Sequence, residues 1–137
     1  MDQEKTEDVI RYASNGEVVK KACGKVAIIG AGPAGLSAAY YLSLMGYSAT
    51  IFESKALAGG VMRYGIPRYR LPDEALDKDI KVIESLGVEI KCLTTVGKDV
   101  TLEEIRDEYD AVFLGTGFSK GRSTGVEGVD SEGVIMA

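Results

Sequence analysis

The sequence predicts an α/β fold, a parallel sheet with helices on both faces, and three observations predict it. Short apolar segments alternate with helical patterns in the order β-α-β-loop-α-β-α-β, the arrangement that gives parallel sheets. The first apolar segment, Val26 to Ile29, runs straight into Gly30-Ala31-Gly32-Pro33-Ala34-Gly35 and then an Ala/Leu-rich stretch. A second apolar segment ends on an acid, Glu53, 23 positions after Gly30. Right-handed crossovers between such strands give the strand order 3-2-1-4, a Rossmann-like sheet.

Each element has its own signal. Residues 1 to 24 lack sustained periodicity and read as an N-terminal extension, with a short helix around Glu7 to Tyr12 and a turn at Asn15-Gly16. The remainder, 25–137, reads as one Rossmann-like domain. Its first strand is Lys25 to Gly30. The helix after it runs from Pro33 to Met45, with proline near the first helical position and Gly46 as its C-cap. The second strand is Ala49 to Glu53. The loop Ser54 to Pro72 is long, and its Tyr64, Ile66, Tyr69 and Leu71 argue that it is ordered. Leu71-Pro72-Asp73-Glu74 opens a second helix with acids in its first turn. Leu76, Ile80, Ile83 and Leu86 recur at helical spacing along it, and Gly87 ends it.

Val88 to Leu93 alternates as a third strand. Val96 to Asp99 is a loop. Thr101-Leu102-Glu103-Glu104 starts a short helix with a capping-box pattern, and its acids form a solvated face. Asp110 to Gly117 is a fourth, apolar strand that breaks on glycines. The tail from Phe118 is polar and glycine-rich, and closes on the short apolar piece Gly133 to Ala137. Tyr40, Tyr41 and Leu42 read as core or interdomain packing.

The glycine turn has a chemical reading. Gly30 permits a tight turn out of the strand. Gly32 lacks a Cβ, so a pyrophosphate can approach the backbone. Gly35 lets the helix pack close to the strand. The helix N-terminus offers unpaired N–H groups and a partial positive charge to phosphates. Glu53 can accept hydrogen bonds from ribose hydroxyls, and its charge disfavours a 2′-phosphate. Spacing alone does not separate NAD from FAD. Gly59-Gly60 has no side chains to block a ligand across the strand ends, and Arg70 can offer a forked donor to a phosphate or a flavin carbonyl. Arg63 and Arg68 read equally well as solvated loop arginines.

Composition narrows the classes. A 137-residue chain with 45% hydrophobic and 27% charged residues is an ordinary globular protein. A net charge of −5 argues against nucleic acid as a partner. There is no histidine, which excludes histidine bases and ligands. Cys23 and Cys92 lie 69 positions apart with no CxxC, so neither a four-cysteine iron–sulfur cluster nor a local redox disulfide can be built. Two bland thiols fit a reducing, cytoplasmic setting. No secretory signal is evident. Residues 26 to 52 are uncharged, but their glycines and proline break them into pieces too short for a membrane span.

Several stretches resemble the flavin domain of the glutamate synthase small-subunit family, which includes the flavin region of dihydropyrimidine dehydrogenase. They are VAIIGAGPAGLSAAYYL, GGVMRYGIPRYRLP, LGVEI, VGKDVTLEE and YDAVFLGTG, together covering about residues 25 to 117. The second is the most diagnostic, because a generic dinucleotide fold has no reason to carry it. The resemblance implies FAD as cofactor, with electrons passing from NAD(P)H through FAD to an acceptor. It implies a phosphate turn of Gly30, Ala31, Gly32, Pro33, Ala34 and Gly35, with Glu53 on the adenosine ribose. Gly59, Gly60 and Val61 would line the path toward the flavin. Arg70 matches a position that contacts the cofactor, and Val96 matches a backbone contact to adenine. Thr116 and Gly117 resemble a motif near the pyrophosphate, although Gly115 stands where alanine is usual.

Full members of that family carry a second dinucleotide fold for NAD(P)H, and only one such glycine motif occurs here. The expectation is therefore a fragment of a larger oxidoreductase, or a chain completed by a second one. An iron–sulfur protein or a catalytic large subunit is a further expected partner, and a homodimer through a bared apolar surface is another. No side chain here is expected to be catalytic, because the cofactor carries the chemistry. The alternatives are an NAD-binding dehydrogenase-type domain and a non-catalytic nucleotide-binding or assembly fragment. No metal site is expected.

Overall fold

The computed structural model describes residues 23–118 and 125–134. The extension with its helix at Glu7 to Tyr12 and its turn at Asn15-Gly16 falls outside these, except for Cys23 and Gly24. So do residues 119–124 of the tail and its last three residues.

Four parallel strands form one sheet in the order β3-β2-β1-β4, as the connectivity implies. They are β1 (Lys25–Ile29), β2 (Ser48–Phe52), β3 (Glu89–Lys91) and β4 (Ala111–Leu114). The helices are α1 (Pro33–Leu44), α2 (Val61–Tyr64), α3 (Asp73–Ser85) and α4 (Leu102–Glu108). β1 is central: Val26 pairs with Ala49 of β2 on one side and with Ala111 of β4 on the other.

The pleat sends alternate side chains of β1 and β2 to opposite faces. Val26, Ile28, Ala49 and Ile51 pack on one face against Leu36 and Ala39 of α1 and Leu76 and Ile80 of α3. Ala27 and Phe52 pack on the other face against Ile105 of α4 and Tyr109. Both faces of the central strands are thus covered, which is why Val26 to Ile29 of β1 is an unbroken apolar run and why β2 buries even Thr50. Tyr40 is half-buried and meets Tyr41 edge-on, but Tyr41 is exposed, so this pair is only partly core.

The loop after β2 is ordered, and it contains a helix that the sequence pattern did not reveal. α2 is a single turn, closed by the amides of Arg63 and Tyr64 donating to the Gly60 carbonyl. Among the described residues, no helix is long and apolar enough to cross a membrane.

Candidate functional site at the glycine corner

The C-terminal ends of β1 and β2 meet the start of α1 at one corner, the place where open α/β sheets take ligands. Gly30 leaves β1 at φ +104, and a Cβ there would lie 2.4 Å from the Gly115 carbonyl oxygen. A Cβ on Gly35 would lie 1.9 Å from the Gly30 carbonyl oxygen. Strand, helix and the end of β4 therefore touch backbone to backbone. Gly32 stands at the N-cap of α1, no side chain caps that helix, and Pro33 follows at its first position. A Cβ on Gly32 would meet only Gly60 Cα, at 3.9 Å. The mouth of the helix is thus open, with its first-turn amides lacking helical partners.

Glu53 is 93% buried beside this mouth, at 7% exposure. Its Oε2 accepts from the Ala31 amide at 2.7 Å, and its Oε1 accepts from the Lys55 amide at 2.8 Å and the Ser54 hydroxyl at 3.3 Å. The carboxylate is fixed in place, with a lone pair left over on Oε2. Ala31 is held from both sides, since its carbonyl accepts from the Gly59 amide at 2.7 Å. Gly60, at φ +53, comes so close to Gly32 that a Cβ would sit 2.6 Å from Gly32 Cα. The two glycine segments, 30–35 and 59–60, therefore form one continuous backbone surface.

Ala34 is exposed at the helix start, and Val61 is exposed beyond Gly60. Thr116 and Gly117 are exposed just past the end of β4, and Thr116 Cα is among the atoms nearest the absent Gly30 Cβ, at 3.3 Å. Val96 is half-buried, packs against the Ala27/Phe52 cluster and bridges to Val100. Arg70 is exposed on the far part of the loop, its amide donating to the Pro67 carbonyl. The structure therefore gathers residues 30–35, 53, 59, 60 and 116 at one corner, whereas among the described residues nothing ties the Arg70 side chain to it.

Two groups beside the corner had no assigned role in the sequence reading. Arg63 is a buried clamp rather than a solvated loop arginine. Its Nε donates to the Ala58 carbonyl at 2.6 Å, and its two terminal nitrogens pair with Asp73, at 3.4 Å, and Asp77. Its signal in the sequence was weak: an arginine three residues after a glycine pair, with acids further on. Arg68, by contrast, is exposed and pairs with Asp73 at 3.1 Å. Cys92 is half-buried, and burial followed by the negative charge of Glu53 pushes its thiol above the ordinary cysteine value. It is a poor thiolate there, unlike the low-pKa cysteines that do redox chemistry.

The geometry has known counterparts. The chain is 51% identical over 108 residues to the NADPH-Fe(3+) oxidoreductase subunit beta of Geobacter sulfurreducens, covering 77% of this chain and 16% of that one. It is 52% identical over 101 residues to the NAD-dependent dihydropyrimidine dehydrogenase subunit PreT of Escherichia coli, covering 74% and 24%. It is 42% identical over 121 residues to the glutamate synthase [NADPH] small chain of Bacillus subtilis, covering 88% and 24%. The matched stretch thus spans between 16% and 24% of the length of these curated relatives. Among solved structures, the fold matches Mycobacterium tuberculosis FprA in complex with NADPH at a TM-score of 0.68 and 23% identity, over 78% of this chain and 25% of that one. It matches 2-naphthoyl-CoA reductase at a TM-score of 0.65 and 28% identity, over 82% and 17%. The sequence pattern of the pyridine nucleotide-disulphide oxidoreductases matches residues 24–136, and the chain belongs to that family.

Proposed function

We propose that residues 25–137 are the FAD-binding part of an NAD(P)H-dependent flavoprotein oxidoreductase resembling the glutamate synthase small subunit, with residues 1–24 as an extension. The observation that carries this reading is the buried Glu53 carboxylate, 2.7 Å from the Ala31 amide at the uncapped mouth of α1. An adenosine ribose and a pyrophosphate need that pairing, an acceptor on the strand end beside amides on the helix.

The residues present fit FAD. An added Cβ at Gly32 would meet only Gly60 Cα, at 3.9 Å, so the space in front of that backbone is open to phosphate oxygens. Gly30, Ala31, Gly32, Pro33, Ala34 and Gly35 would hold the pyrophosphate, and Glu53 the ribose. Gly59, Gly60 and Val61 would lie along the path of the cofactor. Thr116 and Gly117 would close it from the β4 side, Val96 would meet the adenine, and the exposed Arg70 would reach the cofactor from its loop. FAD, when bound, supplies two-electron exchange with a nicotinamide and onward transfer to an acceptor. This chain contributes binding and orientation.

The nicotinamide site would lie in a further unit of the same protein or in a second chain. An iron–sulfur protein or a catalytic large subunit fits as the acceptor, and the cytoplasm fits as the setting. The relatives' short aligned share supports the first of these. Titrating FAD into the purified chain, followed at the flavin absorption bands, tests the reading. Saturable binding that NAD does not displace is expected. No saturable binding, by the chain alone and by the chain joined to the rest of its protein, would overturn it.

A further inference from the structure

The surface formed by the two glycine segments depends on something behind it. Gly59 is sandwiched. Its amide reaches forward to the Ala31 carbonyl at 2.7 Å, while on its Cβ side lie Leu76 Cδ2 and Arg63 Cβ, 2.8 and 3.0 Å from where a Cβ would stand. The Arg63 side chain, only 6% exposed, runs along this back surface. Its Nε takes the carbonyl of Ala58, the residue just before the glycine pair. Its fork is anchored on Asp73 and Asp77, in the first turn and a half of α3. One guanidinium thus ties the peptide entering Gly59-Gly60 to a helix that packs firmly into the core through Leu76 and Ile80.

We infer that Arg63 is a positioning residue: braced by Asp73 and Asp77, it holds Gly59-Gly60 against the 30–35 turn and so sets the affinity for the dinucleotide without touching it. The inference rests on the FAD reading above. Glycines are the least constrained residues in a chain. A pair of them facing a ligand costs ordering entropy on binding unless the fold has already ordered them. The Arg63 side chain is buried while Asp73 and Asp77 stay partly in solvent, so the cost of desolvating the guanidinium is offset by its bonds to Ala58 and to the two acids, which fix its geometry. A lysine could not replace it fully, since a point charge cannot bond Ala58 and fork to two acids at once.

The test compares the 137-residue chain with Arg63→Met, Arg63→Lys and Asp77→Asn. Arg63→Met keeps the apolar stem and removes the fork. Two readouts are taken: the FAD dissociation constant, and amide hydrogen exchange at Gly59 against Gly30, whose N–H donates to the Phe52 carbonyl at 2.8 Å. Arg63→Met is expected to speed exchange at Gly59 and leave Gly30 protected. It should raise the FAD dissociation constant by roughly tenfold or more, the scale of outer-shell supports at other sites. Arg63→Lys should lie between the two. Unchanged Gly59 exchange and affinity in a folded Arg63→Met would overturn the inference. So would equal acceleration at both amides, which is global loosening rather than local positioning. If Arg63→Met does not fold, Asp77→Asn decides: faster Gly59 exchange with weaker binding supports the brace, and wild-type values refute it. Absence of FAD binding by the wild-type chain, both alone and joined to the rest of its protein, would overturn the proposed function instead, while the exchange comparison would still read the brace.

Discussion

At the residue scale, Glu53 is asked to do two things with one carboxylate. It satisfies backbone amides of Ala31 and Lys55 inside the protein, and under the proposed function it would also take a ribose hydroxyl. Glu53→Gln separates the two. The amide keeps one acceptor oxygen and turns the other position into a donor, which faces an N–H of Ala31 or Lys55. Leaving one such donor unpaired costs about 1–3 kcal/mol. Urea unfolding of Glu53→Gln should show a loss in that range, and the FAD dissociation constant should rise. A stability loss with unchanged affinity would mean that the acid only braces the corner. Gly35 shows the same economy at a position where no variant is tolerable, because its missing Cβ is the space occupied by the Gly30 carbonyl oxygen.

At the element scale, α4 carries a complete capping box. The Thr101 hydroxyl accepts from the Glu104 amide at 3.1 Å, while Glu104 Oε2 accepts from the Thr101 amide at 2.7 Å and from its hydroxyl at 2.8 Å. These bonds, the backbone one first, hold the Glu104 carboxyl below the ordinary glutamate value. A lowered value in the folded state gives stability that is present above the unfolded carboxylate range and is lost as pH falls through the lower, folded value. Thr101→Ala removes the N-cap and should cost about 1 kcal/mol near neutrality. The gap to wild type should narrow in acid, as read by urea unfolding at pH 7 and below pH 4. Thr101 and Glu104 were legible as a cap because their spacing is local. The four strands and the 30–35 turn were legible for the same reason, each being a run of neighbours in sequence, and the strand order followed from right-handed crossovers between them. α2 was not, because one turn of Val61–Tyr64 has no periodicity to read. Nor was the exposure of Tyr41, because the Ala/Leu-rich α1 is apolar all round and hides which side faces the sheet. The Arg63 brace escaped because its partners lie ten and fourteen residues away, brought near only when α3 folds back beside the loop.

At the scale of the whole molecule, the sheet has two edges, and they differ. β3 ends it with Glu89 and Lys91, an ion pair at 3.6 Å, and charge on an edge discourages pairing. β4 ends it with Ala-Val-Phe-Leu. Leu114 is 67% exposed, and Phe118 just beyond it is 81% exposed. A groove of about 470 Å³ runs between this edge and Leu102 and Arg106 of α4. An exposed apolar edge is a template for another strand. The 137-residue chain should therefore self-associate as concentration rises, and Leu114→Lys should suppress this, as followed by sedimentation velocity. The net charge of −5 opposes that association by long-range repulsion, which salt screens. Added salt should thus strengthen association through an apolar β4 edge, whereas an interface built on ion pairs would weaken. A chain that stays monomeric at every concentration, or whose association Leu114→Lys leaves untouched, would move the contact away from β4.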